Sequence, residues 1–139
     1  MSAEMMISFI QSCSPEMLLG FQVAVQCAPV LKDVKISNLM TVKPGYWQEI
    51  RRRLKKSPVI CIPLYMDEKK EVLFLYRYNR LEAHLKNKKV QMFLEGFGYE
   101  RCEVAFVLKH MRNRYQQYPG PGRTYPHELG VLLEYTVEE

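Results

Sequence analysis

The amino-acid sequence predicts an α+β protein, a small sheet that contains a β-hairpin and is covered by about five helices. Three observations carry that prediction. Two short runs of strand-forming residues, "VICIPLY" (59–65) and "VLFLYRY" (72–78), flank the charged turn "MDEKKE". Longer stretches repeat apolar residues at helical spacing. The resulting order, α-β-α-β-β-α-α-α, does not alternate strand with helix as a parallel sheet would require.

Each element has a local reason. Ser14, Pro15 and Glu16 supply an N-cap, a first-turn proline and a first-turn acid, so a helix starts there. Met17, Leu18, Phe21, Ala24, Val25 and Ala28 form its apolar stripe, and Pro29 pushes Ala28 out of helical geometry and ends it. "DVKISNLMTV" alternates at Val34 and Ile36 as a short strand. In "KPGYWQEIRRRLKKS" the stripe is Tyr46, Trp47, Ile50 and Leu54, closed by Ser57 and Pro58. Pro63 removes a backbone donor and places its strand at an edge or a bulge. Val72, Phe74, Tyr76 and Tyr78 share one face of the following strand.

Asn79 caps a helix carrying Leu81 and Leu85, and a further turn or two around Val90, Phe93 and Leu94 ends at "GFGY". A long helix occupies "ERCEVAFVLKHMRNRYQQY", with Val104, Val107, Leu108, Met111 and Tyr115 on its core face. Cys102, Phe106 and His110 line its opposite face, which packs on another element or on a second copy of the chain. "YPGPGRT" is irregular and leads into "YPHELGVLLEY", where a helix begins at the pair His127–Glu128.

Composition narrows the class. The 139 residues fit a single domain spanning 1–139, and 47% hydrophobic with 25% charged residues is a globular balance. No apolar run approaches the roughly 18 residues of a membrane helix. The start "MSAEMMISFIQ" lacks a basic leader, so a cytoplasmic protein is expected. Cys13, Cys27, Cys61 and Cys102 lie far apart with no CxxC, the pattern of reduced thiols. A formal charge of +5 permits weak attraction to polyanions without establishing nucleic-acid binding.

Five groups of residues could carry chemistry. At His127–Glu128 a zinc-protease motif is absent, because Val131 stands where the second histidine would be. A first-turn glutamate suits the helix dipole, which also keeps His127 neutral and able to accept a proton, a hydrogen bond or a metal. Cys27 is a candidate nucleophile, but a helix C-terminus raises a thiol pKa, so it needs a partner such as His127. Arg51, Arg52, Arg53, Lys55 and Lys56 resemble a nucleic-acid patch, with a solvated helix face as the default. Arg77 and Arg80 flank a strand end as an anion site. Cys102 and His110, about 12 Å apart on a helix, cannot share one ion. No phosphate-binding loop or metal motif is present, and the sequence names no cofactor.

"QCAPVLKDVKISNL", "LYRYNRLEAHL", "GFGY" and "YPHELGVLLEYTVEE" together resemble an uncharacterised family of small proteins, mostly from anaerobic Gram-positive bacteria. The resemblance spans about residues 20 to 137. It implies motif roles for Cys27, Ala28, Pro29 and Leu31, for Tyr76, Arg77, Arg80 and Leu81, and for Pro126, His127, Glu128, Gly130 and Tyr135. It supplies no reaction, and it implies a link to redox or metal physiology. Here Glu134 precedes Tyr135 where the family has glycine, and the further helix that the family carries is lacking, which implies a shortened C-terminus.

The leading expectation is a protein that binds a small ligand or a protein partner at His127, Glu128, Arg77, Arg80 and Tyr135. A thiol-dependent enzyme or redox protein, with Cys27 as thiolate, His127 as base and Glu128 as orienting group, is the rival. Nucleic-acid binding through the basic helix is the third.

Overall fold

The computed structural model describes residues 2–12, 14–118 and 128–133. Among these described residues, seven helical segments and three strands follow the order α1 (Ala3–Ser12), α2 (Pro15–Leu31), β1 (Ser37–Val42), α3 (Trp47–Leu54), β2 (Val59–Met66), β3 (Glu71–Arg77), α4 (Tyr78–Leu85), α5 (Lys88–Glu95), α6 (Val104–Gln117) and α7 (Leu129–Leu132). The fold is α+β, as the sequence predicts. Helix α1 is an addition to that prediction.

β2 and β3 form the expected antiparallel hairpin, and β1 pairs on the other side of β3 to give the order β1-β3-β2. The near-continuous apolar run of β3 explains its central place, since Val72 to Tyr76 are buried on both faces of the sheet. Val72, Phe74 and Tyr76 join a core with residues of α4, α5, α6 and α7, whereas Leu73 and Leu75 join one with α2 and α3. The sheet therefore lies between two helical layers. Pro63 sits on the edge strand β2 and begins its bulge, with Leu64 unmatched between Pro63 and Tyr65.

Several local expectations need correction. Tyr78 does not extend the β3 face but opens α4, where it is 46% exposed. Asn79 lies inside that helix, with Arg77 at the cap position. Cys102 precedes α6, while Phe106 and His110 stack within it at 6.1 Å. Val34 is 71% exposed and lies ahead of β1.

The largest correction concerns α2. Its buried face is Leu19, Val23, Cys27 and Val30, while Met17 and Val25 of the expected stripe are more than half exposed. An apolar helix offers two plausible stripes, and the sheet takes the one that also buries a cysteine. Ser14 caps it as predicted, its hydroxyl accepting from the Met17 N–H at 3.2 Å. Pro29 does not end it. Proline removes one hydrogen bond near the last turn, and other contacts replace the loss. The Pro29 carbonyl accepts from the Val34 and Lys35 N–H groups, and Asp33 adopts the left-handed φ of 60° that turns the chain toward β1.

Candidate functional site

The "GFGY" segment is built by glycine. Gly98, at φ +87°, lets the Gly98 N–H reach the Glu95 carbonyl and the Tyr99 N–H reach that of Leu94, a Schellman ending to α5. Tyr99 is thereby turned inward, 1% exposed, in a T-shaped contact with the His110 ring, the centroids 4.4 Å apart. Arg114 comes from the flank of α6 beside the core positions Met111 and Tyr115, its guanidinium 5.7 Å from the Phe97 ring centroid.

Both groups converge on Glu128, which is fully buried. The Arg114 Nε–H donates to Oε1 and its Nη2 donates to Oε2 at 3.3 Å, while the Tyr99 hydroxyl donates to Oε1 at 3.2 Å. Burial, then the Glu128 charge, push the Tyr99 hydroxyl pKa far up, which makes it a hydrogen-bond donor and not an acid. The Ser37 hydroxyl donates to the Leu132 carbonyl, so α7 is tied to β1 as well as to α6. Glu128 thus works as a buried, paired anchor for α7. Sequence reading missed Arg114 and Tyr99, although the position of Arg114 beside the core stripe was visible. His127 and Tyr135 lie outside the described residues, as does Pro126.

Arg77 and Arg80 form a second cluster. The Arg77 Nε–H donates to the Val30 carbonyl at 2.7 Å and Nη2 donates to that of Leu31 at 2.8 Å, satisfying the end of α2. Arg80 Nη1 pairs with Asp33 at 2.6 Å, and Arg77 Nε lies 3.6 Å from the same carboxylate oxygen. This cluster holds the "CAPVL" turn against the strand end.

Cys27 is fully buried in the core beneath α2 and α3, across the sheet from the core that holds Leu129 and Leu132 beside Glu128. The fold does not bring Cys27 and Glu128 together. Burial pushes the Cys27 thiol up to about 11, and Cys61, in the same core, up to about 12, mainly by burial and secondarily by Cys27. Unfolded thiols ionise near the ordinary 9.0, so the native state holds protons that the unfolded chain has lost. Stability is expected to be full below pH 9 and to fall as pH rises toward 11 and 12. Iodoacetamide near pH 8 should leave Cys27 and Cys61 unlabelled in folded protein and modify both in urea. Rapid native labelling of Cys27, read by peptide mass, would contradict this burial.

The basic residues lie elsewhere. Trp47 begins α3, its backbone N–H donating at 3.0 Å to the buried carboxylate of Glu71. Ile50 and Leu54 are buried, and the basic residues face outward. Arg52 and Arg53 both bond to Glu49, whose carboxyl they hold down to about 2. Arg51 lies 5.8 Å from the Trp47 ring centroid. Among the described residues, no acid is paired with Arg51, Lys55 or Lys56. Between α3 and the start of β2 runs an open groove of about 450 Å³, lined among others by Gln48, Arg51, Lys55, Ser57, Ile60 and Cys61.

An antiparallel sheet between helical layers, two ion clusters spent on holding the fold, and a basic groove at a strand edge define a small α+β protein. No described helix is long and apolar enough to cross a membrane, and among the described residues no group of three or more His, Cys, Asp or Glu could hold a metal ion. The chain belongs to the DUF3793 family of proteins of unknown function, whose model matches residues 23–139. Comparison with curated proteins and with solved structures gave no match.

Proposed function

We propose that the protein is a recognition module for an anionic partner, and that its binding surface is the groove between α3 and β2. The observation that supports this is the open basic groove itself, where Arg51 and Lys55 line a cleft of about 450 Å³ with no described acid paired to them. The other sequence candidates favour structural roles: Glu128 is engaged by Arg114 and Tyr99, Arg77 by the end of α2, and Cys27 by the core. Thiol chemistry is disfavoured by a thiol raised to about 11. An acidic partner gains from the uncompensated charge, and that gain weakens with salt.

The test uses Trp47, the only tryptophan. Polyglutamate is expected to change its emission at low salt, and the effect should fade as salt rises past about 0.2 M. The double variant Arg51→Glu, Lys55→Glu should weaken binding by about tenfold or more. Equal affinity in the parent and the variant would sink the proposal.

A further inference from the structure

Beyond charge, the groove has a backbone side. We propose that β2 receives an extended acidic segment of a partner protein as a fourth strand, paired along Val59 to Pro63. This deepens the groove reading and rests on it.

The ladder fixes which backbone groups face outward. The Arg77 N–H donates to the Ile36 carbonyl, so Arg77 points toward the β1 side of β3. Neighbouring strand residues alternate, so Tyr76 and Phe74 point toward β2, where they face Ile60 and Ile62. Val59, Cys61 and Pro63, whose side chains are buried, therefore turn their backbone groups to the side of β2 that no described strand covers. Pro63, with no N–H to offer, loses no bond within the sheet by lying there. The Val59 N–H is already donated to the Ser57 hydroxyl at 3.2 Å. What remains outward is the Cys61 N–H together with the carbonyls of Val59, Cys61 and Pro63. The groove is lined by three successive residues, Val59, Ile60 and Cys61, whose side chains alternate between faces. Such a groove runs along the strand edge and not over one face.

The side chains select the occupant. Helix α3 shares a core with Cys61, Leu73 and Leu75, so it flanks one face of the added strand, with Arg51 and Lys55 beside it. Ile60, 40% exposed, lies on the other face. An incoming strand would meet cations on alternate positions and apolar surface on the positions between. A segment alternating acidic with β-branched residues matches both. A second copy pairing through β2 would set Arg51 and Lys55 near their own images, and like charge opposes that arrangement.

The experiment follows the backbone amides of the full chain by nuclear magnetic resonance. The probe is a peptide of about ten residues alternating glutamate and valine, long enough to cover the edge. Two further peptides carry N-methyl groups, each on one of the two alternating sets of amides. The parent peptide should bind, shift the Cys61 amide and protect it from exchange. One methylated peptide should lose about tenfold or more in affinity and the other should not, because only one set of N–H groups faces β2. Equal binding by both methylated peptides would overturn strand pairing and leave the anionic groove standing. A silent parent peptide, while polyglutamate still changes Trp47 emission, would do the same. Stronger shifts at the same amides from a single-stranded oligonucleotide would make nucleic acid the occupant and also overturn the proposal. Loss of every anion effect would remove the groove reading itself.

Discussion

Replacing Arg114 by methionine is expected to lower stability by about 3 kcal/mol, the lower end of the cost of stranding a buried charge. Glu128 is fully buried, and its carboxylate relies on Arg114 and on the Tyr99 hydroxyl. The Arg114 side chain is one-third exposed, which lets water soften the loss. Tyr99→Phe, which removes one neutral donor to a charged acceptor, should cost about 1.5–3 kcal/mol. The informative comparison is Arg114→Met combined with Glu128→Gln. Once the charge is gone, the second substitution should recover part of the first loss, a coupling of about 1 kcal/mol or more in a double-mutant cycle. Urea unfolding of the four proteins measures it. Strict additivity, or a loss below about 0.5 kcal/mol for Arg114→Met, would show that Glu128 is not held as a buried pair.

That anchor also shows where sequence reading stops. A glutamate after proline and histidine carries every local mark of a helix start, and local chemistry accounts for it without a tertiary partner. Burial is not a local property. The partner of Glu128 is Arg114, a residue whose neighbours Met111 and Tyr115 were legible as core while the arginine itself carried no local signal. The same limit governs α2, where two apolar stripes fit one helical period and only the sheet decides that Cys27 goes inside. Patterns with a single solution were legible. The β2–β3 hairpin and the core face of α6 each follow from one periodicity, and the missing donor of Pro63 left an edge or a bulge, both of which β2 shows.

The basic run "RRRLKK" was legible in its parts and not in its consequence. Its apolar stripe and its outward charges follow from the helical wheel, and Arg52 and Arg53 both pair with Glu49. The adjacent strand edge could not be read from the helix. It depends on β1 joining the far side of β3, a long-range pairing whose only sequence trace is the weak alternation near Ile36. A solvated face and a docking face differ here by one strand's position.

Arg77 and Arg80 separate two roles for motif arginines, and the expected effects are unequal. Arg77→Met removes two charge-assisted bonds to the Val30 and Leu31 carbonyls, at 2.7 and 2.8 Å, and should cost about 2–3 kcal/mol. Those carbonyls end α2, where the Val30 carbonyl also accepts from the Asp33 N–H at 3.1 Å, so the backbone of the turn offsets part of the loss. Arg77→Lys should restore less than half of the loss, because one ammonium cannot reproduce a planar fork to two acceptors. Arg80→Met removes an ion pair with Asp33 in which both side chains are more than 40% exposed, and should cost less than about 1 kcal/mol. Urea midpoints of the three variants decide the matter. Similar small losses at both positions, together with a specific rise in the melting temperature of the parent on adding phosphate, would mean that the pair is an anion site after all. A large loss at Arg77 with no such rise would mean that its charge is committed to the chain, and that the search for a ligand belongs in the groove beside Arg51 and Lys55, where β2 begins.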